Sequence, residues 1–117
     1  GFCDHPSKLL LLPRTLEVAQ ARLRFATERW GGTGTLFAWD LWNEIHPSYA
    51  ENSAAPFNEF IGALSRSLRE HEMSVHGRAH PQTVSIFSPH IVLDPHIPDA
   101  IYRHPDLDFT STHLYEE

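Results

Sequence analysis

Residues 36–44 (Leu-Phe-Ala-Trp-Asp-Leu-Trp-Asn-Glu) constrain this chain more than any other segment. An apolar run broken only by Asp40 ends abruptly in an amide and a carboxylate, and His46-Pro47 then turns the chain away. Gly31, Gly32 and Gly34 precede the run and argue against a continuing helix, so residues 36–42 are expected to form a buried strand. The polar end places Asn43 and Glu44 at the C-terminal tip of that strand. Parallel α/β sheets and barrels carry their chemistry at such tips. Glu44 is therefore the first candidate for an acid/base group.

The segments around this strand supply its partners. Leu16, Ala19, Leu23, Ala26 and Trp30 recur at steps of three and four and predict an amphipathic helix over 15–30, with Trp30 in the core and Gly31-Gly32 as a positive-φ cap. A loop over 46–55 leads to a second helix, with Pro56 at its first position. Phe57, Phe60, Ile61, Leu64 and Leu68 form its buried stripe, Arg66, Arg69 and Glu70 lie outside, and the helix fades near Met73. Thr83 to Phe87 is β-branched, short and bounded by Pro81 and Pro89, and reads as a strand. Four prolines within 88–106 predict a loop with at most a short helix over 98–102. Residues 107–112 read as a third strand, ending in His113-Leu114-Tyr115.

Strands alternating with helices imply parallel pairing and an α/β fold. Three successive strands carry polar or aromatic residues at their tips: Asn43 and Glu44, Ser88, then His113 and Tyr115. One such tip is common, whereas three on one face point to a shared site. A closed (β/α)8 TIM barrel needs roughly 200 residues or more, so a chain of 117 residues is expected to supply about three-eighths of one, as a single unit over 1–117.

Composition narrows the partners. A net charge of −6, with eight arginines and one lysine scattered along the chain, argues against nucleic acid. No apolar stretch approaches a membrane span, so no membrane partner is expected. The single cysteine, Cys3, excludes an internal disulfide. The termini carry no readable address.

The spans Arg29-Trp30-Gly31 to Trp39-Asp40-Leu41-Trp42-Asn43-Glu44, and Ser111-Thr112-His113-Leu114-Tyr115, resemble the clan-A retaining glycoside hydrolases. Cellulases and β-mannanases belong to that clan of (β/α)8-barrel enzymes. The resemblance implies a fragment running from the third helix to the sixth strand of the barrel. It makes Glu44 the general acid/base and Asn43 a ligand of the sugar 2-hydroxyl, with His113 and Tyr115 orienting substrate and nucleophile. The clan's nucleophile is a second glutamate at the tip of the seventh strand, beyond this chain, and Glu116 and Glu117 do not match it. The implied activity is hydrolysis of a β-linked poly- or oligosaccharide without a cofactor, and the isolated chain is expected to be inactive. Unpaired strand edges predict self-association, unless missing barrel segments complete the fold.

Around Glu44, Trp39, Trp42 and Tyr115 are candidates for the apolar wall that raises an acid's pKa. Trp42 and His46 are further candidate substrate contacts. Mid-strand, Asp40 fits a structural partner of an arginine better than a catalyst. A non-catalytic carbohydrate-binding half-barrel, stacking sugars on Trp42 and Tyr115, is the alternative. A third reading is histidine-based metal binding through His71, His76 and His80, or through His90, Asp94 and His96. None of these shows the helical i, i+4 pair or the cysteine-rich spacing of a convincing zinc site.

Overall fold

The computed structural model describes residues 6–45, 54–87 and 100–115. A short 3-10 turn (Pro6–Leu11) leads into helix α1 (Pro13–Trp30), strand β1 (Trp39–Asp40), helix α2 (Ala54–His76), strands β2 (Gln82–Thr83) and β3 (Ser85–Phe87), and strand β4 (Ser111–His113). Both strand pairs are parallel: β1 pairs with β2, matching Trp39 to Gln82, and β3 pairs with β4, matching Ser85 to Ser111. The chain is thus an α/β protein built on two short parallel pairs. Because β2 and β3 are separated only by Val84, segments 39–45, 82–87 and 108–113 lie side by side in chain order.

The elements form where hydrophobic period and backbone chemistry agree. Helix α1 starts two residues before the expected boundary, at Pro13, whose missing N–H costs nothing in a first turn. Its C-cap corrects the expectation of a positive-φ glycine, because Gly31 is right-handed (φ −61°). Glycine is needed there for space: a Cβ would lie 2.7 Å from Thr27 O and 3.0 Å from the His76 ring. Helix α2 starts at Ala54, ahead of Pro56, and runs to His76, past the expected end near Met73. Gly77, at φ 68°, then terminates it.

All five apolar residues of the α2 stripe are buried, at 4 % exposure or less, against Leu41, Ile45, Val84, Ile86 and Ile101. Trp30 departs from expectation and is 50 % exposed. It faces a groove between α1 and the free edge of β1, also lined by Leu23, Trp39 and Leu41. Among the described residues β1 pairs with no strand other than β2. Trp30 packs edge-on against Phe25, with the Arg29 guanidinium 5.8 Å above its ring.

The strands are shorter than their apolar runs. Residues 36–38 precede the ladder, and Phe37 is 79 % exposed beside Phe109. The expected strand over 107–112 pairs regularly only from Ser111. Before it, one backbone bond and two side-chain bonds join the segments: Asp108 N–H donates to Gln82 O (2.9 Å), the Asp108 carboxylate accepts Gln82 N–H (2.8 Å), and the Thr83 hydroxyl donates to Phe109 O (2.8 Å). Arg69 of α2 donates to the same Asp108 oxygen at 2.9 Å.

That network predicts a pH dependence. Burial raises the Asp108 pKa, but the Arg69 guanidinium and the Gln82 N–H outweigh it, and the carboxyl sits below the usual range. A depressed carboxyl lends stability that is full above its unfolded value and fades as pH falls through the folded value. Urea midpoints measured from neutral pH down to about pH 3 should therefore fall less steeply in D108N than in the wild type. Identical slopes would contradict this.

Candidate functional site

The tip of the first strand is shaped by a bulge. Trp39 N–H bonds to Pro81 O and Leu41 N–H to Thr83 O, each at 2.9 Å, in regular parallel register. Regular pairing would next bring Asn43 to Ser85 O, but Ile45 makes that bond, at 3.0 Å. Four residues of advance on one segment (41 to 45) thus face two on the other (83 to 85). The slack is taken up by residues 42–44, and Glu44 adopts a left-handed backbone (φ 47°). For a residue other than glycine that conformation costs about 1–3 kcal/mol and persists only when surrounding contacts over-determine it. Such bulges re-aim side chains at strand ends.

The re-aimed side chain is that of Glu44. Its Oε1 accepts a hydrogen bond from His113 Nδ1 at 2.9 Å and another from the Tyr115 hydroxyl. With a carboxylate as acceptor, the His113 proton is assigned to Nδ1. Glu44 and His113 are half-buried, and Tyr115 is exposed. Phe87, at the end of β3, stands 5.4 Å from the Tyr115 ring, and His113 lies edge-on to that ring at 6.5 Å. Three neighbouring strand ends therefore contribute one carboxylate, one imidazole and two aromatic rings to one solvent-facing surface.

Electrostatics follow from these bonds. The Tyr115 hydroxyl first, then His113, hold the Glu44 carboxyl below its ordinary value, against the upward push of desolvation. The same bond raises the Tyr115 hydroxyl above its ordinary value, since ionising it would set a phenolate against a carboxylate. Glu44 is thus poised here as an anion that accepts hydrogen bonds. As part of an apolar wall, Tyr115 would raise this pKa. Its hydroxyl acts in the opposite direction.

Of the six residues singled out from sequence, Glu44, His113 and Tyr115 converge. Trp42 does not join them: its half-buried ring packs edge-to-face on Phe60 of α2 at 5.4 Å. Asn43 is exposed and borders the groove between α1 and the free edge of β1. His46 lies outside the described residues, as do Ser88, His90, Asp94, His96, Glu116 and Glu117. Asp40 has a structural role, but its partner is the Ser85 N–H at 3.0 Å, where an arginine had been expected. Trp39 does not wall the carboxylate either, because its Nε1–H donates to Glu72 at 2.8 Å.

Two contributors were missed. Ser85, wholly buried in β3, accepts the Glu44 N–H. A hydroxyl inside a short β-branched strand was the available signal, since a buried hydroxyl needs a partner. Glu72, also wholly buried, accepts from Trp39 Nε1, from His80 Nδ1 (2.7 Å) and from His80 N–H (2.9 Å). Its signal was its position, four residues beyond Leu68 on the apolar stripe.

Of the histidines considered for metal binding, the three within the described residues each have a structural contact: His71 with Glu28 (3.2 Å), His76 with Thr27 O (3.0 Å), and His80 with Glu72. Among the described residues no group of three or more potential ligands is placed to hold a metal ion. Compared with protein-family models, with curated proteins and with solved structures, the chain matches none of them.

Proposed function

We propose that this chain is part of a (β/α)8-barrel O-glycosyl hydrolase of the retaining type, acting on a β-linked poly- or oligosaccharide, with Glu44 as general acid/base. The observation that carries the proposal is the convergence of Glu44, His113 and Tyr115 at the C-terminal ends of neighbouring parallel strands. Parallel strands in chain order, with α2 crossing between the first and second segments, fit a barrel segment.

Retaining hydrolysis uses one carboxyl group first as acid and then as base, beside a second about 5–5.5 Å away that attacks the anomeric carbon. The bonds from Tyr115 and His113 favour the anion, which is the form that takes a proton from water when the glycosyl-enzyme is hydrolysed. Protonating the leaving oxygen requires the acid form. In this proposal a second carboxylate, brought by a strand outside the chain, supplies the repulsion that raises Glu44, and draws the Tyr115 hydroxyl to itself. The exposed ring of Tyr115 beside Phe87 offers a sugar an apolar face next to the carboxylate.

The test is hydrolysis of an aryl β-glycoside. The 117-residue chain should give no turnover, and a longer polypeptide containing it should hydrolyse the glycoside with retained configuration. Turnover by the chain alone, or inversion by the longer protein, would refute the assignment. The lowered pKa of Glu44 beside the exposed Tyr115 ring also favours a second reading, a carbohydrate-binding site without catalysis. An inactive longer protein that still binds the sugar would select it.

A further inference from the structure

Ser85 makes more contacts with the Glu44 bulge than any strand ladder requires. Its N–H is shared between Asp40 Oδ1 (3.0 Å) and Trp42 O (3.2 Å). Its carbonyl accepts Ile45 N–H at 3.0 Å. Its hydroxyl accepts Glu44 N–H at 3.0 Å and donates to Trp42 O at 3.4 Å. One fully buried residue therefore touches both ends of the bulge and the residue at its apex. The backbone bonds could be made by any residue except proline. The hydroxyl contacts could not, and they fall on Trp42 and Glu44, where the chain leaves regular register.

We propose that Ser85 is the positioning residue for the candidate acid/base: its hydroxyl bridges Trp42 O and Glu44 N–H, and so holds the left-handed turn that aims the Glu44 carboxyl at His113 and Tyr115. The functional meaning of this role rests on the glycosidase reading, whereas the geometric role does not. A left-handed glutamate returns to ordinary backbone angles unless something fixes it. Without the hydroxyl, the Glu44 N–H loses its acceptor in a half-buried setting, and the turn gains nothing by staying strained. The carboxyl then swings away from two donors at once, since His113 and Tyr115 meet the same oxygen. Ser85 is also matched to Ser111 in the β3–β4 ladder, so the residue that holds the Glu44 turn lies in the same ladder as the strand ending in His113. The carboxylate and its two donors thus share one reference point.

The experiment is an NMR pH titration of the Glu44 side-chain carboxyl in wild type, S85A and S85T, with the Val84 and Ile86 methyl signals reporting the surrounding core. In S85A with unchanged methyl signals, Glu44 is expected to titrate at higher pH than in the wild type, near the ordinary carboxylate value, and the Tyr115 hydroxyl at lower pH. S85T keeps the hydroxyl and is expected to restore the wild-type Glu44 titration. A folded S85A with wild-type titration, or a folded S85T shifted like S85A, would overturn the role. Should neither variant fold, hydrogen exchange of the wild-type Glu44 amide decides. Protection is expected, and exchange at the rate of an unstructured peptide would overturn the proposal. A longer protein without glycosidase activity would remove the acid/base reading and leave these titrations as they are.

Discussion

Replacing Glu72 with alanine is expected to remove a large share of the chain's folding stability. Its side chain is wholly buried, yet three donors end on it: the Trp39 indole, the His80 ring and the His80 backbone. These join α2 to β1 and to the segment that enters β2. Truncation leaves all three donors without an acceptor and opens a cavity beside Leu68. Breaking a buried hydrogen-bonded pair of this kind costs about 3–5 kcal/mol, and total stabilities are only about 5–15 kcal/mol. Urea denaturation followed by tryptophan fluorescence should show that loss in E72A. W39F removes one donor and leaves two satisfied, so about 1–2 kcal/mol is expected. An E72A protein within about 1 kcal/mol of wild type would mean that water replaces the carboxylate, and that the helix–strand contact does not depend on it.

The second large effect is expected in catalysis by a longer polypeptide that contains this chain. A positioned general acid contributes about 100- to 10,000-fold, so E44A should lose activity in that range on an oligosaccharide whose leaving group is a sugar. An aryl glycoside with a strongly acidic phenol leaves without protonation, and its first step should be affected far less. The split between the two substrates separates an acid from a merely structural carboxylate. The variant should also lose the limb of the pH profile that reports the acid. Equal losses on both substrates would assign Glu44 to folding or binding instead.

Much of the architecture was legible because it follows from period and punctuation. The α2 stripe of Phe57, Phe60, Ile61, Leu64 and Leu68 is buried as its spacing requires, and the β-branched run ending at Phe87 is extended and parallel to its neighbours. What stayed hidden depends on contacts between distant segments. Trp30 continues the α1 stripe in sequence, but it stands half exposed in an open groove between α1 and residues 39–43. Glu72 falls on the apolar stripe of α2, but what it bonds to depends on two donors from other segments, Trp39 and His80. Asp40 lacked an arginine because a strand N–H was already within reach.

The site divides in the same way. The strand tips announced Glu44, His113 and Tyr115 by residue type, and these three meet at one oxygen. Neither the direction of the Glu44 shift nor the bridging role of the Ser85 hydroxyl follows from residue type. Both depend on a two-residue slip in register, and no periodicity encodes such a slip. The same slip explains Trp42, which turns onto Phe60 while its neighbour Glu44 faces β4.

The most direct test of the central assignment is an NMR titration of the isotope-labelled chain with a β-linked glucan or mannan oligosaccharide. The account predicts that the signals of Glu44, His113, Tyr115 and Phe87 shift together and saturably, and that Y115A abolishes the response. Shifts confined to the groove beside α1, or no shifts at saturating sugar, would contradict it.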